Sequence, residues 1–156
     1  MNRPRGALAA AMGALIGLPA MAAAPAGPWG NLTAWEGHYP TDVLPGAQGG
    51  FFALPALRHT LASILTPADR HRLTNYAEAS QIDPVGQYEV LSLCQPHDCP
   101  AENATIILDE TAPRLWVAFY AHIGAVVSVR WYGTDDYEHL PPDVLNQVLY
   151  GHEPRP

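Results

Sequence analysis

Apolar residues at Leu54, Leu57, Leu61, Ile64 and Leu65 recur at helical spacing, with Pro55 suited to a first helical turn. Thr66-Pro67-Ala68-Asp69 then supplies an N-cap, a proline at the first helical position and an acid in the first turn, which predicts a second short helix running toward Tyr76. Beyond a turn at Asp83-Pro84-Val85-Gly86 the pattern becomes that of strands. Tyr88 to Leu93, Ala104 to Asp109, Leu115 to His122 and Ala125 to Tyr132 are rich in β-branched and aromatic residues and bounded by turn formers. Ile123-Gly124 between the last two suits a tight antiparallel hairpin. Leu115 to Tyr120 is apolar on both faces, so it is expected as an inner strand covered on both sides, by helix on one. Pro141-Pro142-Asp143 opens a last amphipathic helix carrying Val144, Leu145, Val148 and Leu149. The order helix, helix, strands, helix predicts an α+β fold, a central antiparallel β-sheet with short helices packed on it.

The amino terminus follows another logic. Arg3 and Arg5 precede an apolar run from Ala7 to Leu18, then the small residues Ala20 to Ala24, which is the layout of a signal peptide cleaved after Ala22. Gly13, Gly17 and Pro19 interrupt the run, and it is too short for a membrane span. Residues 1–22 are therefore expected to be removed on export, leaving about 130 residues, the size of one domain and free of membrane. Within that remainder, residues 23–50 are rich in Gly and Pro and contain Trp29, Trp35 and Tyr39, which suggests an irregular arm pinned by aromatic anchors. Residues 51–156 form the α+β domain.

Charge narrows the choice of partner. The chain carries a formal charge of −7, and its cations are all arginines. Losing Arg3 and Arg5 would make the mature protein more acidic still. That argues against nucleic acid and anionic membrane surfaces and favours a basic partner. The run Asp135, Asp136, Glu138 is expected to be a solvated loop, with a second contact to such a partner as the alternative.

The candidate chemistry lies in Cys94-Gln95-Pro96-His97-Asp98-Cys99, which holds the only two cysteines. In an oxidising compartment two cysteines with no third imply one intramolecular disulfide. A ring that small would remove only about 2 kcal/mol of unfolded-state entropy, so its use is to hold the shape of the loop. The spacing differs from the C-x-x-C of redox enzymes. Cys94, His97 and Cys99 are also ligand types that suit zinc, although a fourth ligand at a telling spacing is missing. No cofactor is implied.

The stretch from Tyr88 to Cys99 resembles the signature of the Ivy family, inhibitors of vertebrate lysozyme, in which a strand leads into C-K-P-H-D-C. Every position of the loop agrees except Gln95, where the family usually has lysine. The resemblance implies export to the periplasm, a central antiparallel sheet with helices on it, and no enzymatic activity. It also implies that the disulfide-closed loop blocks a c-type lysozyme or related muramidase, with Pro96, His97, Asp98 and Gln95 at the contact. A monomer or a homodimer is compatible with it.

That role has a physical basis independent of family. Retaining glycosidases hold two carboxyl groups about 5 to 5.5 Å apart, and an inserted imidazole can hydrogen-bond to both while occupying the place of the sugar. Asp98 could orient His97 or pair with a basic residue at the rim of the cleft. Pro96 limits the conformations frozen on binding. Two other readings remain open at this stage. One is an envelope protein of the same fold that binds another wall-processing enzyme, such as a lytic transglycosylase, and the other is a metal-binding protein using Cys94, His97 and Cys99.

Overall fold

The computed structural model describes residues 27–150, so the expected signal peptide at 1–22 lies outside the described residues. Three helices and six strands make up the α+β fold. Helix α1 spans Pro55–Ile64 and α2 spans Pro67–Asn75. The strands are β1 (Glu78–Ala79), β2 (Asp83–Val85), β3 (Tyr88–Cys94), β4 (Glu102–Asp109), β5 (Leu115–Ile123) and β6 (Val126–Gly133), followed by α3 (Pro142–Tyr150). Every ladder is antiparallel. The order across the sheet is β1, β3, β4, β5, β6, with β2 pairing on the same edge of β3 as β1. No helix among the described residues is long and apolar enough to cross a membrane.

Period-two alternation sends each inner strand's side chains to two separate cores. Leu91, Leu93, Ala104, Ile106, Leu108, Leu115, Val117 and Phe119 face Leu57 and Leu61 of α1, Leu73 of α2, and Trp29, Leu32 and Trp35 from the arm. Tyr88, Val90, Ile107, Trp116 and Ala118 face Leu140 and the Val144 and Val148 pair of α3. Trp131 stacks on Tyr137 at 4.7 Å and extends this second layer. The two-sided apolar pattern of Leu115 to Tyr120 therefore has its cause: β5 lies between β4 and β6, with helices on both faces.

Local signals behave as their chemistry dictates. Thr66 Oγ1 accepts from the Asp69 amide at 3.1 Å and donates to the Asp69 carboxylate at 2.6 Å, so N-cap and first-turn acid close on each other. The β5–β6 connection is the two-residue turn Gly124-Ala125, and with φ of 64° at Gly124 alone it is a type II′ turn. Two details differ from the sequence reading. Asp83-Pro84-Val85, expected as a turn, pairs with β3 as an edge strand, the place in a sheet where a proline is tolerated. Of the three aromatic anchors, Trp29 and Trp35 are buried, with Trp29 Nε1 donating to the Asp109 carbonyl at 2.8 Å, whereas Tyr39 is 47% exposed.

Candidate functional site

Register decides what lies beside the cysteine loop. Cys94 is the last residue of β3 and pairs with Asn103, while Glu102 at the start of β4 pairs with Ala121 near the end of β5. The β3–β4 loop and the β5–β6 hairpin turn therefore share one end of the sheet. The β4–β5 loop lies at the other end, a strand length of about 25 Å away.

The disulfide forms between Cys94 and Cys99, whose Cα atoms are 5.0 Å apart. Both sulfurs are thus unavailable as thiolates, and the metal-binding reading through Cys94, His97 and Cys99 loses two of its three ligands. The Glu78 carboxylate lies 3.1 Å from Cys99 Sγ, but a joined pair of sulfurs makes no cation site with it.

Inside the ring, the Gln95 carbonyl accepts from the Asp98 amide at 3.0 Å, closing a β-turn with Pro96 and His97 at its centre. Pro96 has φ near −65° by its ring, and His97 has φ of 67°, a combination that defines a type II turn. His97 is the one non-glycine residue with positive φ among the described residues. Turns of this type favour glycine or asparagine at that position, and a side chain there costs on the order of 1 kcal/mol. The strain is carried at the tip of the loop, where the sequence places its imidazole.

The base of the loop is held from several directions. The Asp98 carbonyl accepts from the amides of Ala101 at 3.0 Å and Glu102 at 2.9 Å, and Asn103 Nδ2 donates to the Cys99 carbonyl at 3.1 Å. Arg72 and Tyr76 of the α2 segment donate to the Glu102 carboxylate at 2.6 and 2.9 Å. The Arg72 hydrogen bond, against some desolvation, holds the Glu102 carboxyl below its ordinary value, so the anchor stays ionised. Above this base Gln95, Pro96, His97 and Asp98 are all exposed. Among the described residues no hydrogen bond or ion pair holds the His97 ring or the Asp98 carboxylate, so Asp98 does not orient His97 there. The result is a stiff backbone that displays two unengaged polar side chains.

Sequence reading missed the neighbour of this loop. The His122 amide donates to the Ala101 carbonyl at 2.7 Å, tying the β5–β6 hairpin to the loop base. At the tip of that hairpin the apolar side chains of Ile123, Val126 and Val127 are 78%, 66% and 54% exposed. The Ile-Gly signal predicted the turn, but only the register shows that it stands beside the cysteine ring. The acidic run is placed elsewhere: Asp136 pairs with Arg114 at 3.3 Å at the opposite end, off the loop's surface.

The loop thus presents exposed donors and acceptors beside exposed apolar side chains of the β5–β6 hairpin at one end of the sheet. The family model described as "Inhibitor of vertebrate lysozyme (Ivy)" matches residues 56–150, and the chain belongs to the Ivy family, whose members are inhibitors and not enzymes. The match covers α1 from its second residue, α2, α3, the whole sheet and the loop. No curated protein and no solved structure matches the chain.

Proposed function

We propose that the mature protein is a periplasmic inhibitor of a c-type lysozyme, exported by cleavage of residues 1–22, and that it acts by inserting the loop from Cys94 to Cys99 into the active-site cleft. The observation that carries this reading is the strained backbone of His97, whose positive φ aims the imidazole outward from a ring closed by a disulfide. Strain kept at an exposed position without any internal contact to reward it is an argument for an external one. In the cleft the imidazole lies between the two catalytic carboxyls, Asp98 meets a basic residue at the rim, and Pro96 and the disulfide remove the entropy that a flexible loop would lose. Ile123 and Val126, paired across the hairpin on one face, cover the apolar surface flanking the cleft. The negative charge, −7 for the whole chain and greater in magnitude without Arg3 and Arg5, speeds the encounter with a basic enzyme.

Gln95 favours one further reading. Without the lysine usual at this position, the loop offers no cation beside His97, which weakens its match to an acidic cleft. A second wall-processing enzyme, such as a lytic transglycosylase, is the corresponding alternative target. Wall-lysis turbidity assays with each enzyme, run with the mature protein and with His97→Ala, distinguish the two. Inhibition of the c-type lysozyme that is lost in His97→Ala supports the proposal. An unchanged lysis rate at inhibitor in large molar excess would refute it.

A further inference from the structure

At the end of the sheet away from the cysteine loop, three carboxylates converge from three separate segments. Glu36 comes from the arm, Glu89 from β3 and Glu110 from the residue after β4, and one oxygen of each lies within 4.8 Å of the others. Backbone pairing fixes all three. Glu36 bridges to Ile82, with the Gly37 amide donating to the Ile82 carbonyl at 2.8 Å. Glu89 sits in the ladder opposite Pro84 and Leu108, and the Glu110 amide donates to the Gln87 carbonyl at 3.0 Å.

Glu89 sets this cluster apart from an ordinary acidic surface. It is fully buried, and among the described residues neither of its carboxyl oxygens has a hydrogen-bond partner. The charged groups that act on it are more acids: Glu110, Glu36 and Asp83. The arginine ion pairs among the described residues go elsewhere, to Glu102, Asp109, Asp136 and Asp69, and the chain has no lysine to supply a counter-charge.

We propose that Glu36, Glu89 and Glu110 bind a divalent cation of the calcium type. Calcium takes oxygen ligands at roughly 2.3 to 2.6 Å, so two ligands on opposite sides of one ion stand about 5 Å apart, which the 4.8 Å spread accommodates. The donor set is all carboxylate, which disfavours zinc and copper. Glu36 is exposed and Glu110 half-buried, leaving open positions for water, and ligands on three segments suit the loose geometry of calcium better than the strict octahedron of magnesium. The ion supplies the charge that Glu89 lacks and clips the arm to the sheet.

The test is thermal unfolding and calorimetric titration of the mature protein, stripped with chelator, at pH 8.5 with calcium chloride, magnesium chloride or sodium chloride of matched ionic strength. Calcium should raise the midpoint saturably, with a dissociation constant on the order of 10⁻⁴ to 10⁻³ M, and magnesium less. Glu36→Gln, an exposed change that leaves folding intact, should weaken calcium binding about tenfold by removing one charged ligand. Glu89→Gln should raise the midpoint of the stripped protein and abolish the calcium response. Calcium that does no more than sodium chloride, or a calcium shift undiminished in both variants, would overturn the proposal and leave a proton shared by Glu89 and Glu110 as the resolution of the buried charge. Lysozyme inhibition is read at the other end of the sheet, so its success or failure leaves this result untouched.

Discussion

The backbone amide of His122 and the carbonyl of Ala101 are joined by a 2.7 Å hydrogen bond, which makes the β5–β6 hairpin and the cysteine loop two parts of one surface. If both enter the partner interface, charge at the hairpin tip will impair binding without harming the fold. Ile123→Asp and Val126→Asp should each weaken lysozyme inhibition by about 1 to 2 kcal/mol, as for apolar contacts flanking an anchor. Their thermal midpoints should stay within a degree or two of wild type, since both side chains are solvent-exposed. Undiminished inhibition by the double variant would confine the interface to the cysteine loop.

The disulfide should matter more to binding than to folding. It closes a ring with a sequence separation of 5 and lies outside both cores. Replacing Cys94 and Cys99 by serine should therefore cost at most about 2 kcal/mol of stability. Inhibition should fall further than the folded fraction does, because the type II turn is no longer held. Denaturant titration beside the lysis assay checks this, and a variant that inhibits in strict proportion to its folded fraction would contradict it.

Much of the fold was legible because its elements carry their own signals. The Thr66 cap, the prolines at the helix starts and the four long strands are local patterns, and each is where its chemistry placed it. β1 and β2 escaped because an edge segment of two or three residues needs neither an apolar run nor freedom from proline. The cysteine ring was legible for the same reason as the helices: all of it lies in six consecutive residues. Its apolar neighbour was not, since nothing local to Ile123 or Val126 encodes the pairing of Glu102 with Ala121. Nor does the pattern Gln-Pro-His-Asp announce a left-handed histidine, because proline second with a residue other than glycine or asparagine third ordinarily marks a type I turn, where the third residue keeps negative φ.

Acid should unfold the protein through two buried aspartates. Burial pushes Asp69 up, but hydrogen bonds from Thr66 and Tyr132 and the charges of Arg130 and Arg72 outweigh it and hold its carboxyl below the ordinary value. Burial likewise pushes Asp109 up, and its bonds from Thr111 and its pairing with Arg114 outweigh that. A carboxyl lowered in the folded state adds stability in full above its unfolded value, near 3.9, and loses it as pH falls through the folded value. Asp109→Asn should accordingly be less stable than wild type at pH 7, with the gap narrowing as pH drops below about 4. Denaturant midpoints from pH 7 down to about 2.5 test this, and parallel curves for the two proteins would refute it.

His97 offers a test in which stability and function move in opposite directions. Glycine relieves the left-handed strain that alanine retains, so His97→Gly should be as stable as wild type or more so by up to about 1 kcal/mol, despite glycine's greater unfolded-state entropy. His97→Ala keeps the strain, and its midpoint should lie at or below that of the glycine variant. Both should lose about 2 to 4 kcal/mol of lysozyme binding, the loss expected for a central anchor. Stability that follows backbone geometry while binding follows the imidazole would separate the two roles of the residue. Retained inhibition in His97→Gly would show that the turn's shape, and not its histidine, blocks the cleft. Retained inhibition in both variants, with Asp98→Ala equally silent, would remove the loop from the mechanism altogether.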